Sequence, residues 1–184
     1  MSTTIISIFL LSILASFIQR TTGFGFGIFI MTVLPYLLPS YGEATTLSGL
    51  LAMTTSLIVS FRMRKYLNWH HLLPILITFI IISAIAIFCL KRMDDVLLRR
   101  VLGVVLILTS IWFTFFSERI RLKTNLNTQI GAGTLSGLMG GFFGMQGPPA
   151  VLYFISSEHD KDRYMALAQT YFFFGNLSML IVRA

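Results

Sequence analysis

Gln19, Arg20, Thr21 and Thr22 stand directly before Gly23, Gly25 and Gly27, and this segment, QRTTGFGFG, lies between two apolar runs. A guanidinium, an amide and two hydroxyls all donate hydrogen bonds, and glycine lets backbone N–H groups approach a ligand. At a break between two half-helices those N–H groups are unpaired and mark the positive end of the second half-helix, so the chemistry that suits the cluster is anion binding. A second cluster of similar type comes later. Gln146 and Gly147 precede Pro148 and Pro149, and proline in a first helical turn marks a half-helix start. Gln169, Thr170 and Asn176 are polar groups inside a further apolar run. They are expected to line the same cavity; the alternative, favoured for Asn176, is hydrogen bonding between helices. Two roles are open to Arg20: contact with the anion, or snorkelling to the membrane interface as an anchor. Gly23 and Gly27 likewise read either as a ligand approach or as a GxxxG packing pair.

Other chemistries find no support in the residues. Every acid, from Glu43 through Asp94, Asp95, Glu118, Glu158 and Asp160 to Asp162, falls in a predicted loop, and no nucleophile, base and acid assemble. An enzyme and a cofactor are therefore not expected. His70 and His71 are adjacent, so on a helix they diverge and cannot form an i,i+4 metal pair. Cys89 is the sole cysteine, which excludes an intramolecular disulfide and a thiolate cluster.

The elements that must position these residues are membrane helices. Hydrophobic residues make up 55% of the chain and charged residues 11%, against roughly 25% charged in soluble domains. The predicted class is all-α, a polytopic membrane protein. The net charge of +7 comes from short loops rather than one basic face, which argues against nucleic acid. Ala44–Phe61, Leu72–Leu90 and Val96–Phe116 each have about the 20 residues of a bilayer-crossing helix. Residues 4–38 are different, because one continuous helix of that length would run about 52 Å, well beyond a core of roughly 30 Å. This segment is expected to break at 19–27, leaving arms at 5–18 and 24–38, each short for a full span. Residues 128–157 repeat the pattern around the cluster at 144–149, and a last span is predicted at 164–182.

Two related repeats follow, 1–127 and 128–184, each with a Gly-interrupted broken helix or re-entrant hairpin. An offset of 122 residues pairs Gly25 with Gly147, Ala44 with Ala166, Ser48 with Thr170 and Ser56 with Ser178. Counterparts of 72–90 and 96–116 would fall past Ala184, so the native chain is expected to continue by about 50 to 60 residues. The alternative is a degenerate second half whose exposed surface a homodimer covers. If both broken segments are hairpins, the repeats are inverted. The loops at 62–71, 117–127 and 157–163 then share one side and carry Arg62, Arg64, Lys65, Arg119, Arg121, Lys123, Lys161 and Arg163. The other side carries Lys91, Arg92, Arg99, Arg100 and Arg183. That asymmetry makes the first side cytoplasmic. Gly133, Gly137 and Gly141 recur every four residues and read as a packing stripe.

The order QRTTGFGFGIFIMTVLPYLLP, EATTLSGLLAMTTSL, GLMGGFFGMQGPPAVLYFISS and RYMALAQTYFFFGNLSML resembles the sulfite exporter TauE/SafE family over nearly the whole chain. The resemblance implies a multi-pass protein of the bacterial inner membrane, built in two related halves. It implies transport of small anions, sulfur oxyanions or organosulfonates. The residues by themselves indicate only an anion, and a non-transporting assembly or scaffold protein, docking a partner through its glycine faces, is the other class they allow.

Overall fold

The computed structural model describes residues 2–115 and 122–184, and the loop positions Arg119 and Arg121, with Glu118, lie outside them. Among the described residues there are helices and no strand. In chain order these are α1 (Ser2–Thr22), α2 (Phe26–Met31), α3 (Leu34–Leu37), α4 (Tyr41–Met63), α5 (Trp69–Leu90), α6 (Asp95–Phe115), α7 (Leu126–Phe143), α8 (Gly147–Ser157) and α9 (Lys161–Arg183), with a 3-10 turn at Arg64–Tyr66. The short polar loops supply the caps that start them. Ser40 accepts from the Glu43 N–H at 3.1 Å, Asn125 from Thr128 at 2.9 Å and Asp160 from Arg163 at 3.0 Å, each satisfying an otherwise unpaired helical donor. Pro74 lies inside α5 and has no N–H for the carbonyl of His70. The Gln129 amide donates to that carbonyl instead, at 3.5 Å.

Helices α1, α5 and α9, and α4 with its 3-10 turn, are long and apolar enough to cross a membrane. Of α9's most apolar stretch 61% is buried, against 11% for α1, so α9 sits at the centre and α1 at the periphery. Around α9 pack α4 and α5, and α7 lies along α5. The glycine stripe of α7 makes that last contact close. A Cβ at Gly133 would stand 2.7 Å from the Ile75 carbonyl oxygen, and one at Gly141 2.5 Å from Ala86 Cβ. α6, expected as a span to Phe116, which lies outside the described residues, is not among the four helices long and apolar enough to cross; it joins the start of α4 through the Tyr41 N–H, which donates to Asp95 at 3.0 Å.

The side-chain contacts set the direction of each helix. α4 and α9 are antiparallel, since Ser60 bonds Thr170 at 2.9 Å near one end and Arg183 reaches Thr45 at the other. α1 runs toward the end where α9 begins, where the Tyr164 hydroxyl donates to the Thr22 carbonyl at 3.2 Å. α2 then runs back, so that Met31 nears Gly144 and Thr45. α7 runs alongside α5, from Gln129 beside His70 to Gly141 beside Ala86. α8 returns, with Tyr153 accepting from Gln129 at 2.6 Å. Each broken segment thus ends at the end of the bundle from which it started, and the two tips point to opposite ends. His71 and Glu158, 2.9 Å apart, tie the start of α5 to the end of α8. Glu158 is a loop acid, as expected, yet it is buried; Glu43, Asp95 and Asp162 are not in loops but in the first turns of α4, α6 and α9, where the helix dipole favours an acid.

Two boundaries correct the sequence reading: the arm expected at 24–38 is divided into α2 and α3 by a turn at 32–33, and the first break begins later than expected. The first break is not 19–27, because Gln19, Arg20, Thr21 and Thr22 all belong to α1, which at 21 residues spans about 31 Å and is no short arm. The physical reason is that none of these side chains competes with the helix. The Thr21 and Thr22 hydroxyls donate back to the Ile18 carbonyl at 2.9 Å, and Gln19 is held by neighbouring helices.

Candidate functional site

Both breaks are three residues long. Gly23 ends α1 with its N–H on the Gln19 carbonyl at 2.9 Å, and Gly144 ends α7 with its N–H on the Gly140 carbonyl at 3.0 Å. Their φ angles of 88° and 67° lie in the left-handed region that residues with a Cβ adopt at a cost. The breaks also touch. A Cβ at Gly27 would stand 2.5 Å from the Gly144 carbonyl oxygen, so nothing larger than hydrogen fits there.

Where the breaks meet, a cavity of about 30 Å³ opens between the starts of α2 and α8, room for a water-sized guest. Six residues expected from sequence line it together: Gln19, Gly25, Gly27, Gln146, Gly147 and Asn176. Its apolar wall of Phe26, Ile28, Ala52, Met145 and Phe172 was not legible in advance, because an apolar residue in a membrane helix carries no mark of which side it faces. No ionisable side chain lines it. What the lining offers is dipoles: the first N–H groups of α2, and two side-chain amides.

Gln19 is 4% exposed and fully engaged. Its Nε2 donates to Ser56 and to Gln169 Oε1, both at 3.0 Å, and its Oε1 accepts from Thr55 at 3.1 Å. Gln169 Nε2 in turn donates to the Gly23 carbonyl at 2.8 Å. One amide pair therefore binds α1, α4, α9 and the first break. The second break is held differently. Gln146 Nε2 donates to the Phe172 carbonyl at 3.3 Å, while Gln146 Oε1 is buried with no partner among the described residues. The Gln146 carbonyl accepts from Ser136, which accepts from the Tyr171 hydroxyl at 2.8 Å. Asn176 is 3% exposed and its amide makes no hydrogen bond among the described residues; the residue borders the cavity, with its Oδ1 lying beside Gly49 of α4.

The remaining expected residues stand apart. Gly23 and Gln169 lie behind the cavity in the amide chain, and Thr170 faces Ser60 at the α4–α9 contact. Arg20, Thr21 and Thr22 are exposed. Arg20 flanks a small cleft with Ser16, Thr55 and Met165, on the other side of Gln19 from the cavity. The partners of Gln19, Thr55 and Ser56, are residues that the sequence reading did not assign; their signal is a run of small hydroxyl residues along α4.

Dipoles without charge can hold a small anion and release it. A family profile described as sulfite exporter TauE/SafE matches residues 8–184 of the chain. No curated protein and no solved structure matches it.

Proposed function

Since the chain belongs to the sulfite exporter TauE/SafE family, whose members are membrane transporters and not enzymes, we propose that it exports sulfite or a related sulfur oxyanion or organosulfonate through the cavity between the two breaks. The observation that carries this reading is the convergence of both breaks, Gln146 and Asn176 on one uncharged, donor-bearing cavity. Free N–H groups at the start of α2 and the Asn176 amide are the donors for the anion. The cavity holds no more than a water-sized guest, so admitting an anion requires the breaks to separate. Export driven by an inside-negative potential gains about 2.3 kcal/mol per charge per 100 mV.

The proposal includes two related halves, 1–127 and 128–184, inverted with respect to each other. Supporting it, α4 and α9 are antiparallel, both 23 residues long and both capped at their starts. It includes a bacterial inner membrane, with the loops at 62–71, 117–127 and 157–163 cytoplasmic, and a homodimer or lipid covering the exposed apolar faces of α1 and α6. The scaffold alternative loses its main surface, because the α7 stripe is occupied by α5 within the chain.

Sulfite flux into proteoliposomes tests the reading. Asn176→Leu removes an amide that no described protein group needs, so it is expected to cut flux by about tenfold or more, the equivalent of one hydrogen bond from a neutral donor to a charged acceptor, at unchanged thermal stability. Flux equal to that of the parent would rule out this cavity as the route.

A further inference from the structure

Arg183, on the last turn of α9, is half-buried where α4, α7 and α9 converge. Its Nη2 donates to the Gly141 carbonyl at 2.9 Å and its Nη1 to the Thr45 hydroxyl. Both partners are neutral, and among the described residues no carboxylate lies within ion-pair distance of it. A charge partly withdrawn from water with no ion-pair partner is costly, and in a membrane protein such a residue is a candidate for a functional site. Thr45 is also the residue next to Gly144, 3.7 Å from where a Cβ there would stand, so the guanidinium is one side chain away from the second break. On its outer side Arg183 faces a recess of about 400 Å³. Lys91, Ser40 and Thr46 line that recess with the apolar Leu50 and Leu90. Behind Arg183, within its electrostatic reach, the Tyr41 hydroxyl is fully buried and has no hydrogen-bond partner. Two carboxylates are near: Glu43, exposed on the recess wall, and Asp95, which accepts from the Tyr41 N–H at 3.0 Å.

We infer that Arg183 and Lys91 form a receiving site for a small oxyanion or sulfonate in this recess, on the way between bulk water and the central cavity. Low-dielectric walls focus the field of the two cations. The planar fork of Arg183 matches two oxygens of such a ligand, which a lysine head group cannot do. A bound anion supplies the missing counter-charge and competes with Thr45 and the Gly141 carbonyl for the guanidinium, loosening the contact that seats α9 against the second break. The inference extends the export reading, and its test does not require transport.

Thr46→Cys is placed in a Cys89→Ser background, Cys89 being exposed. The thiol is reacted with an anionic sulfonatoethyl and a cationic trimethylammonioethyl methanethiosulfonate, each rate being normalised to that with mercaptoethanol. The anionic reagent is expected to be favoured by on the order of tenfold, from two cations lining the same recess as the thiol. Added methanesulfonate is expected to slow it. Arg183→Gln should remove most of the preference, and Arg183→Lys should keep the preference but lose the methanesulfonate protection. Equal normalised rates in the parent protein overturn the inference, as does full preference in Arg183→Gln. If Arg183→Gln does not purify as a folded protein, Lys91→Gln, at an exposed side chain, carries the same comparison, and an unchanged preference there overturns it too. An anionic preference without sulfite flux would count against the export reading alone, and flux without the preference against the receiving site alone.

Discussion

The two helix breaks meet at one cavity but are held by opposite means. At Gly23–Gly25 two glycines adopt positive φ, the start of α2 keeps its free N–H groups, and Gln19 outside the break uses both atoms of its amide to bind α4 and α9. At Gly144–Gln146 one glycine has positive φ, and Pro148 and Pro149 remove two of the N–H groups that α8 would otherwise present. There the amide lies inside the break and is only half satisfied. The first break thus offers backbone donors from a clamped frame, and the second offers one side-chain amide, its oxygen unpaired among the described residues, from a looser one. The difference separates stability from ligand contact within a single cavity.

That contrast can be broken most sharply at the glycines following each break. Gly27→Ala forces a methyl to 2.5 Å from the Gly144 carbonyl oxygen, a backbone atom that cannot swing aside. It is expected to cost about 3 kcal/mol or more and to abolish flux. Gly147→Ala meets nothing closer than 3.7 Å and is expected to stay within about 0.5 kcal/mol of the parent. Thermal unfolding in detergent compares them, and equal losses would mean that the breaks do not meet as described.

The glutamines give the next largest effect. Gln19→Met leaves Ser56, Thr55 and Gln169 short of buried partners, an expected loss of about 2 to 3 kcal/mol. Gln146→Met gives up one long hydrogen bond and an orphaned oxygen, for an expected change under about 1 kcal/mol, with flux reduced instead. Denaturation midpoints alongside flux per reconstituted protein check the pair; a Gln146→Met loss as large as that of Gln19→Met removes the distinction between the breaks. Arg20 offers the smallest effect. Exposed beside the first break and outside the cavity lining, it is proposed to attract anions by charge alone. Arg20→Lys should then keep flux within about twofold of the parent, and Arg20→Gln should lower it more, with the gap closing at high salt. A large Arg20→Lys defect, against an unaffected Arg62→Lys, would restore direct contact through the fork.

Helical content, the broken segments and the glycine stripe were legible because each has a local cause. Runs of about 20 apolar residues dictate helices, and Gly23, Gly25 and Gly144 with the prolines after them punctuate those runs. The start of the first break was misread because polar residues in an apolar run look like an interruption. Gln19 is instead a helical residue whose partners, Ser56 and Gln169, lie far along the chain, and no spacing rule announces such a pairing. Arg183 was counted among loop charges for a similar reason: after the apolar run of α9 it looks like an interfacial anchor, and only the approach of Thr45 and Gly141 encloses it.

By itself, then, the chain's covalent order determines which segments are apolar enough for a membrane, that two of them break at glycines, and that donors cluster beside the breaks, since hydropathy, missing Cβ atoms and missing N–H groups are properties of single residues. Which donors share a cavity was decided only by tertiary packing. Six of the expected residues line it, while Arg20, Thr21 and Thr22 face away and Gln169 and Thr170 are absorbed into helix contacts. The physical reason is that a helix repeats its direction every 3.6 residues, so neighbours in sequence point to different partners. Whether an amide is spent on the frame or left for a ligand depends on what another helix brings within about 3 Å of it.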